Sequence, residues 1–271
     1  MNVMPLTPFT FFIVCPLVFL AGFVDSIAGG GGIISLPAYL FAGLPVHNAL
    51  ATNKLSSFCG STVATGRYLK NRCFQKIFIL PTVAAALAGS AAGARLSLRA
   101  GDDLLKKVLL VVLPFVAVVT VFRRGKKEKP VETDLQEQNT LVRGKGHGSL
   151  SQKTQLIIAT GASLVIGMYD GFYGPGTGTF LMLVFTGILG FKERDAAGNT
   201  KCVNWSSNAA ALATFITGGR VVWILGAAAA VCSIAGNYCG SGLVIQDGEK
   251  YVRPVIIVVL ILLFVKIFSG K

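Results

Sequence analysis

The sequence has little charge. Only 14% of its 271 residues are Asp, Glu, Lys or Arg, whereas 53% are hydrophobic, and its mean hydropathy is +0.66. Soluble domains carry about 25% charged residues. The apolar residues form long runs that short polar clusters separate. This pattern excludes an ordinary soluble domain and predicts an all-α polytopic membrane protein.

The chain also lacks the residue sets that catalysis or metal binding needs. It has two histidines, His47 and His147, and no HExxH motif. Its six cysteines form no CxxC pair, and most lie inside apolar runs, where cysteine behaves as a small apolar residue. We therefore predict that the protein is not an enzyme and holds no metal or cofactor. We expect His47 in a loop.

Acidic residues are fewer than basic ones, 12 against 25, and the formal net charge is +13. The basic residues cluster between apolar runs, and no basic stripe with interleaved aromatics occurs. The positive-inside rule explains this excess better than nucleic-acid binding does. The first residues lack a basic n-region, so we expect the first apolar run to be retained rather than cleaved as a signal peptide.

Glycine is abundant, and it clusters in two similar places. Residues 22–32 read GFVDSIAGGGG, and residues 167–178 read GMYDGFYGPGTG. Glycine destabilises a helix interior and suits a sharp turn or a close approach. Both stretches therefore predict broken or re-entrant helices. The apolar run that follows the first stretch, about 33–43, is too short to cross a core about 30 Å thick, and 44–48 reads as a break.

A shift of 147 residues aligns 29–113 with 176–260. It places Lys54 on Lys201 and matches paired glycines, while Asp25 and Asp170 differ by 145. We infer two homologous repeats of four to five helical segments each, eight to ten in total. The repeats occupy 1–122 and 151–271, and a charged, flexible linker occupies 123–150.

Lysine and arginine counts favour inverted repeats with both termini outside. Parallel repeats with both termini inside remain the alternative. Both arrangements place the linker in the cytoplasm of a cell-membrane protein of the bacterial inner-membrane type.

Besides Lys266 near the C-terminus, which can reach the interface with its long side chain, four ionisable residues lie inside apolar runs: Asp25, Lys54, Asp170 and Lys201. Such residues are costly in a membrane and indicate a functional site, although an Asp–Lys bridge that only ties helices together is the plain alternative. Glycine turns that open helices expose backbone amides, which favours an anion, although glycines also serve tight packing. The predicted substrate-binding residues are Gly29, Gly30, Gly31, Gly32, Asn53, Lys54, Ser57, Gly176, Thr177, Gly178, Thr200, Lys201 and Asn204. We expect Asp25 and Asp170 to orient the lysines or to carry a coupled proton.

With these motifs, and with ATNK at 51–54 and GNTK at 198–201, the chain resembles the TauE/SafE family of anion permeases, also called the 4-toluene sulfonate uptake permease family. The resemblance covers nearly the whole chain apart from the linker. It implies a multi-pass carrier that moves sulfite, sulfonates such as sulfoacetate or related sulfur-containing anions, usually outward.

Two other functions stay open on the sequence alone. One is a cation carrier with Asp25 and Asp170 as ligands, and the other is a membrane assembly subunit that uses its glycines for packing. Coupling to protons or to sodium, and a homodimer, also stay open. The expected partners are a small anion and the lipid bilayer, without nucleic acid.

Overall fold

A computed structural model describes residues 7–105, 107–108 and 151–247, and these residues form helices joined by short turns, without a strand. The predicted all-helical membrane fold is thus confirmed for this part of the chain. Its main helices are α1 (Pro8–Ala28), α2 (Gly32–Phe41), α3 (Val46–Lys70), α4 (Lys76–Arg99), α5 (Gln152–Phe172), α6 (Thr177–Met182, continuing as π-helix over Leu183–Ile188), α7 (Glu193–Thr217) and α8 (Trp223–Asp247).

Four helices are long and apolar enough to cross a membrane, namely Pro8–Ile27, Lys76–Arg99, Gln152–Phe172 and Trp223–Ile245. Helices α3 and α7, with 25 residues each, are as long as these four helices but much more polar. They contact each other and also pack against α8 and α4, so many of their polar side chains are buried within the protein rather than in lipid. A polar helix is tolerated at membrane depth when the protein itself surrounds it.

The apolar helices pack in two close pairs, α4 against α5 and α1 against α8. Small residues make this approach feasible. A Cβ built on Gly93 would lie 1.9 Å from Met168 O, and one built on Gly240 would lie 2.4 Å from Phe23 O. Close backbone contact of this kind is how membrane helices associate without a hydrophobic driving force between them. Each pair joins a helix from 1–122 to a helix from 151–271.

Both glycine stretches interrupt the helices, as the sequence predicts. Helix α1 ends at Ala28 and α2 begins at Gly32, after Gly29 and Gly30 adopt φ values of 72° and 94°. Helix α2, with 10 residues, is only about 15 Å long and cannot cross a bilayer. It packs back against α1, so the chain reverses direction at this turn.

Two expectations about local structure are wrong. The break predicted over 44–48 ends at Pro45, because α3 already begins at Val46, and His47 is therefore helical and buried. Proline lacks an amide hydrogen and suits the start of a helix, where that hydrogen would have no acceptor. His47 Nδ1 lies 2.5 Å from Asp102 Oδ1, and Nε2 lies 3.0 Å from Ser97 O, so the ring fastens α3 to the end of α4.

The linker 123–150 and the last apolar run of the second half, near 259, lie outside the described residues, as does most of the run near 104–122. The repeat and its inversion stay predictions. Helix boundaries agree with the 147-residue offset, since α3 spans Val46–Lys70 and α7 spans Glu193–Thr217.

Candidate functional site

The four intramembrane charges form two ion pairs. Lys54 Nζ on α3 lies 2.7 Å from Asp170 Oδ2 on α5, and Lys201 Nζ on α7 lies 2.5 Å from Asp25 Oδ2 on α1. Each pair thus joins one half of the chain to the other. Both lysine side chains and that of Asp170 are at least 94% buried, whereas the side chain of Asp25 is 22% exposed. An unpaired charge at such a place is costly, so the pairing makes the burial tolerable.

The two glycine turns meet next to these pairs. A Cβ built on Gly29 would lie 2.6 Å from Gly178 Cα, so neither residue could carry a side chain here. Gly32 is almost as close to Pro175, with 3.1 Å from its Cβ position to Pro175 Cα. Helices α2 and α6 begin at these turns, and the first amides of a helix have no acceptor within it. The close approach therefore brings amide-rich backbone from both halves together.

A cavity of about 40 Å³ opens beside the turns, which is room for a few water molecules. Its walls come from α1, α2, α3, α5, α6, α7 and α8, and they include Lys54, Asp25 and Asp170. Three asparagine side chains on these walls, Asn53, Asn204 and Asn237, are at least 95% buried, and the Oδ1 of each has no hydrogen-bond partner. Buried polar groups normally have partners, and so three carboxamide oxygens without partners around one space indicate that a polar ligand or water occupies it.

Most of the predicted site residues line this cavity. They are Asp25, Gly30, Gly31, Gly32, Asn53, Lys54, Ser57, Asp170, Gly176, Thr177, Gly178 and Asn204. Three predicted residues lie outside its lining: Gly29 packs against Gly178, Lys201 pairs with Asp25 behind the wall, and Thr200 is buried on α7. The structure therefore distinguishes the two lysines, of which Lys54 faces the cavity.

The set of predicted site residues left out several lining residues, chiefly Asn208, Ser233 and Asn237. Asn208 Oδ1 accepts a hydrogen bond from Lys54 Nζ at 3.1 Å. Asn237 and Ser233 lie on α8. A signal was available, because Asn237 is a carboxamide in the middle of an apolar span, where a polar residue normally has a specific role.

Comparison with known proteins shows the family. A family model described as "Sulfite exporter TauE/SafE" matches residues 14–267, nearly the whole chain. The chain belongs to the TauE/SafE family. The resemblance seen in the sequence is thereby confirmed.

Relatives of this chain carry transporter names. The chain is 34% identical over 251 residues to "Probable membrane transporter protein ORF9" of Sinorhizobium sp, covering 93% of this chain and 89% of the relative. It is also 34% identical over 240 residues to "Probable membrane transporter protein YfcA" of Escherichia coli strain K12, covering 89% and 82%. No solved structure matches the chain. This TauE/SafE protein is a multi-pass membrane transporter and not an enzyme.

Proposed function

We propose that this transporter exports small sulfur-containing oxyanions such as sulfite or organosulfonates. The observation that carries the proposal is the cavity in which the Lys54 ammonium and three asparagines, each with an Oδ1 that has no hydrogen-bond partner, surround the junction of two glycine turns. The family description names a sulfite exporter, and it supports both the class of anion and the outward direction.

The donors around the cavity suit a compact oxyanion. An ammonium has three N–H donors, and Lys54 directs two of them to Asp170 and Asn208, which leaves one for a ligand. Asn53 and Asn204 can each present an amide NH₂ group when the carboxamide turns over, whereas the Asn237 amide is held in place by its bond to Ser233 O at 2.9 Å. A pyramidal or tetrahedral oxyanion has several acceptor oxygens in different directions, as this donor set requires.

The same contacts disfavour a cation as substrate. Each of the two carboxylates is already paired with a lysine, so a metal cation in the cavity would meet a fixed ammonium. A purely structural role for the site also fits poorly. Ion pairs and glycine contacts could hold helices together, but packing alone does not require three buried carboxamides with unmet hydrogen-bonding capacity.

Transport follows from alternating access, in which the halves 1–122 and 151–271 rock against each other around the site. The contact of Gly29 with Gly178 lies on the boundary between the halves and contains only backbone atoms. Two such turns can slide without a side chain being displaced. Gly31 belongs to the same turn, and a Cβ built there would lie 2.4 Å from Ala21 O, so Gly31→Val should stop transport.

A counterflow assay tests the proposal. Purified protein in liposomes is loaded with unlabelled sulfite, sulfoacetate, taurine, sulfate or thiosulfate, and exchange of labelled sulfite is measured. We expect sulfite or a sulfonate to exchange, and Lys54→Gln to reduce exchange at least tenfold. Lys70→Gln, at the exposed end of the same helix, is the matched control and should exchange normally. Wild-type protein that exchanges none of these anions would refute the proposed function.

A further inference from the structure

We infer that the two aspartates have different roles: Asp25 takes up one proton for each anion bound, whereas Asp170 stays ionised as the fixed partner of Lys54. This inference rests on the proposed function, because it assigns the coupling ion to the same site.

Asp170 is fully engaged. Its Oδ2 accepts from Lys54 Nζ at 2.7 Å and from Ser207 Oγ at 2.5 Å. Its Oδ1 lies 2.9 Å from Thr177 Oγ1, which shares its hydrogen with Gly174 O at 2.7 Å. Donors thus contact both oxygens, and only 6% of this side chain is exposed. A proton arriving here would have to displace a donor that is already in place.

Asp25 has fewer donors and more room. Its Oδ2 accepts from Lys201 Nζ at 2.5 Å, and its Oδ1 receives only a long contact from the Gly31 amide, at 3.3 Å. The side chain is 22% exposed and lines the cavity. One oxygen of Asp25 can therefore accept a proton without displacing a strong donor.

The sequence explains this difference. In the 147-residue register, the two hydroxyl residues that hold Asp170, Ser207 and Thr177, correspond to Gly60 and Gly30. Glycine supplies no hydroxyl, so the first half cannot build the same donor set around Asp25. A Cβ built on Gly60 would lie 2.2 Å from Ser233 Oγ, so the space that a serine would need is filled by α8.

Charge balance couples the proton to the anion. The two lysines and two aspartates sum to zero, so an anion alone would add its full negative charge to the site, which is two units for sulfoacetate. Protonation of Asp25 removes one negative charge and leaves the Lys201 ammonium uncompensated, which attracts the anion. The linkage is reciprocal: a bound anion favours the proton to the same extent that the proton favours the anion. Anion affinity should therefore rise as pH falls.

The charged and titratable groups facing Asp25 come from three helices. Lys201 on α7 makes direct contact, and Lys54 on α3 and Asp170 on α5 share the cavity wall. Tyr68 on α3 donates to the carbonyl of Ser26, the next residue along the chain, at 2.7 Å. The cavity residues of α2, α6 and α8 in the described chain, such as Ser35, Thr177 and Asn237, do not ionise in this pH range.

The test measures the number of protons moved per anion in proteoliposomes that contain a pH-sensitive dye. The probe is labelled sulfoacetate, whose charge is constant between about pH 6 and pH 8 because carboxyl groups ionise well below that range; sulfite replaces it if only sulfite exchanges. The ratio does not depend on how much protein is active. We expect about one proton per anion for wild type and near zero for Asp25→Asn, with exchange reduced but still measurable.

Asp170→Asn is the matched variant. It should lower exchange at least tenfold, and the remaining flux should keep the wild-type ratio. The double variant Asp25→Asn/Lys201→Gln, which removes a complete ion pair, covers the case in which Asp25→Asn alone does not fold. An unchanged ratio in a folded Asp25 variant would overturn the inference. So would a ratio of zero in wild type that still exchanges anions, and this second result would leave the proposed function intact.

Infrared spectroscopy gives a readout without transport. Addition of sulfoacetate to the purified wild type should produce the absorbance of a protonated carboxyl group. That band should be lost in Asp25→Asn and kept in Asp170→Asn. The opposite pattern would assign the proton to Asp170 and refute the division of roles.

Discussion

In the outer helix pair α4–α5, Gly93 lies so close to Met168 O that no side-chain atom fits between the backbones. In the centre, α3 and α7 instead reach their neighbours through long charged side chains, such as Lys54 to Asp170. The outer contact depends on shape, because backbone atoms meet there directly. The central contact depends on charge, which a proton or an anion can alter. A ligand can therefore act directly on the central contact but not on the outer one.

Breaking one central pair should have the largest effect on stability. Lys54→Gln strands the buried Asp170 carboxylate and should cost about 3–5 kcal/mol of unfolding free energy. Lys54→Gln/Asp170→Asn should recover most of that loss, because two neutral amides replace the pair, while transport stays absent. Unfolding in detergent measures the first effect and counterflow the second. A double variant as unstable as the single one would show that Lys54 does not stabilise the protein through its ion pair with Asp170.

Breaking the contact between α4 and α5 should have the next largest effect on stability. Gly93→Val places a branched side chain against a backbone carbonyl and should cost about 3 kcal/mol, the upper range for overpacking. Gly161→Val on α5 is the control, since nothing lies within 4 Å of its Cβ position. Thermal unfolding and monodispersity on size exclusion report the difference. Equal stability of the two variants would contradict the close packing of α4 and α5.

Removing a hydroxyl group that donates to Asp170 should sharpen the comparison between the Asp170 and Asp25 carboxylates. Ser207→Ala deletes a charge-assisted hydrogen bond and should cost about 2 kcal/mol. Ser61→Ala is the control, because its hydroxyl donates to Phe58 O within its own helix, and its loss should be smaller. Chemical unfolding of the two variants in parallel provides the measurement. A larger loss for Ser61→Ala would argue against Ser207 as a support of Asp170.

The smallest expected effect concerns two side chains, one on α3 and one on α7. They bond the turns that precede α8 and α4, respectively. Thr52 Oγ1 accepts from the Val222 amide at 3.1 Å, and Asn199 Oδ1 accepts from the Gln75 amide at 3.0 Å. Thr52→Val and Asn199→Ala should each cost about 1 kcal/mol. Thr214→Val, whose hydroxyl bonds within α7, should cost less. Unequal losses in the first two variants would indicate that these positions are not equivalent.

Much of the fold could be predicted from the sequence, because hydropathy and glycine report directly on membrane helices and on their breaks. The sequence also marked Lys54 and Asp25 as site residues, since charge in an apolar run is conspicuous. It could not show that each lysine pairs with the aspartate of the other half, because pairing depends on which helices are neighbours. Asn237 escaped notice for a related reason: its role comes from facing a cavity that α1 and α3 complete.

The pairing of each lysine with the aspartate of the other half also constrains how the protein folds during synthesis. Lys54 is synthesised more than one hundred residues before its partner Asp170, and at about 5–20 residues per second the interval is roughly 5 to 25 seconds. Asp25 likewise precedes Lys201. During that interval the newly inserted first half must either hold two unpaired charges or pair Lys54 with Asp25. The native ion pairs can therefore form only after the second half has been synthesised. Any temporary pair between Lys54 and Asp25 must then break.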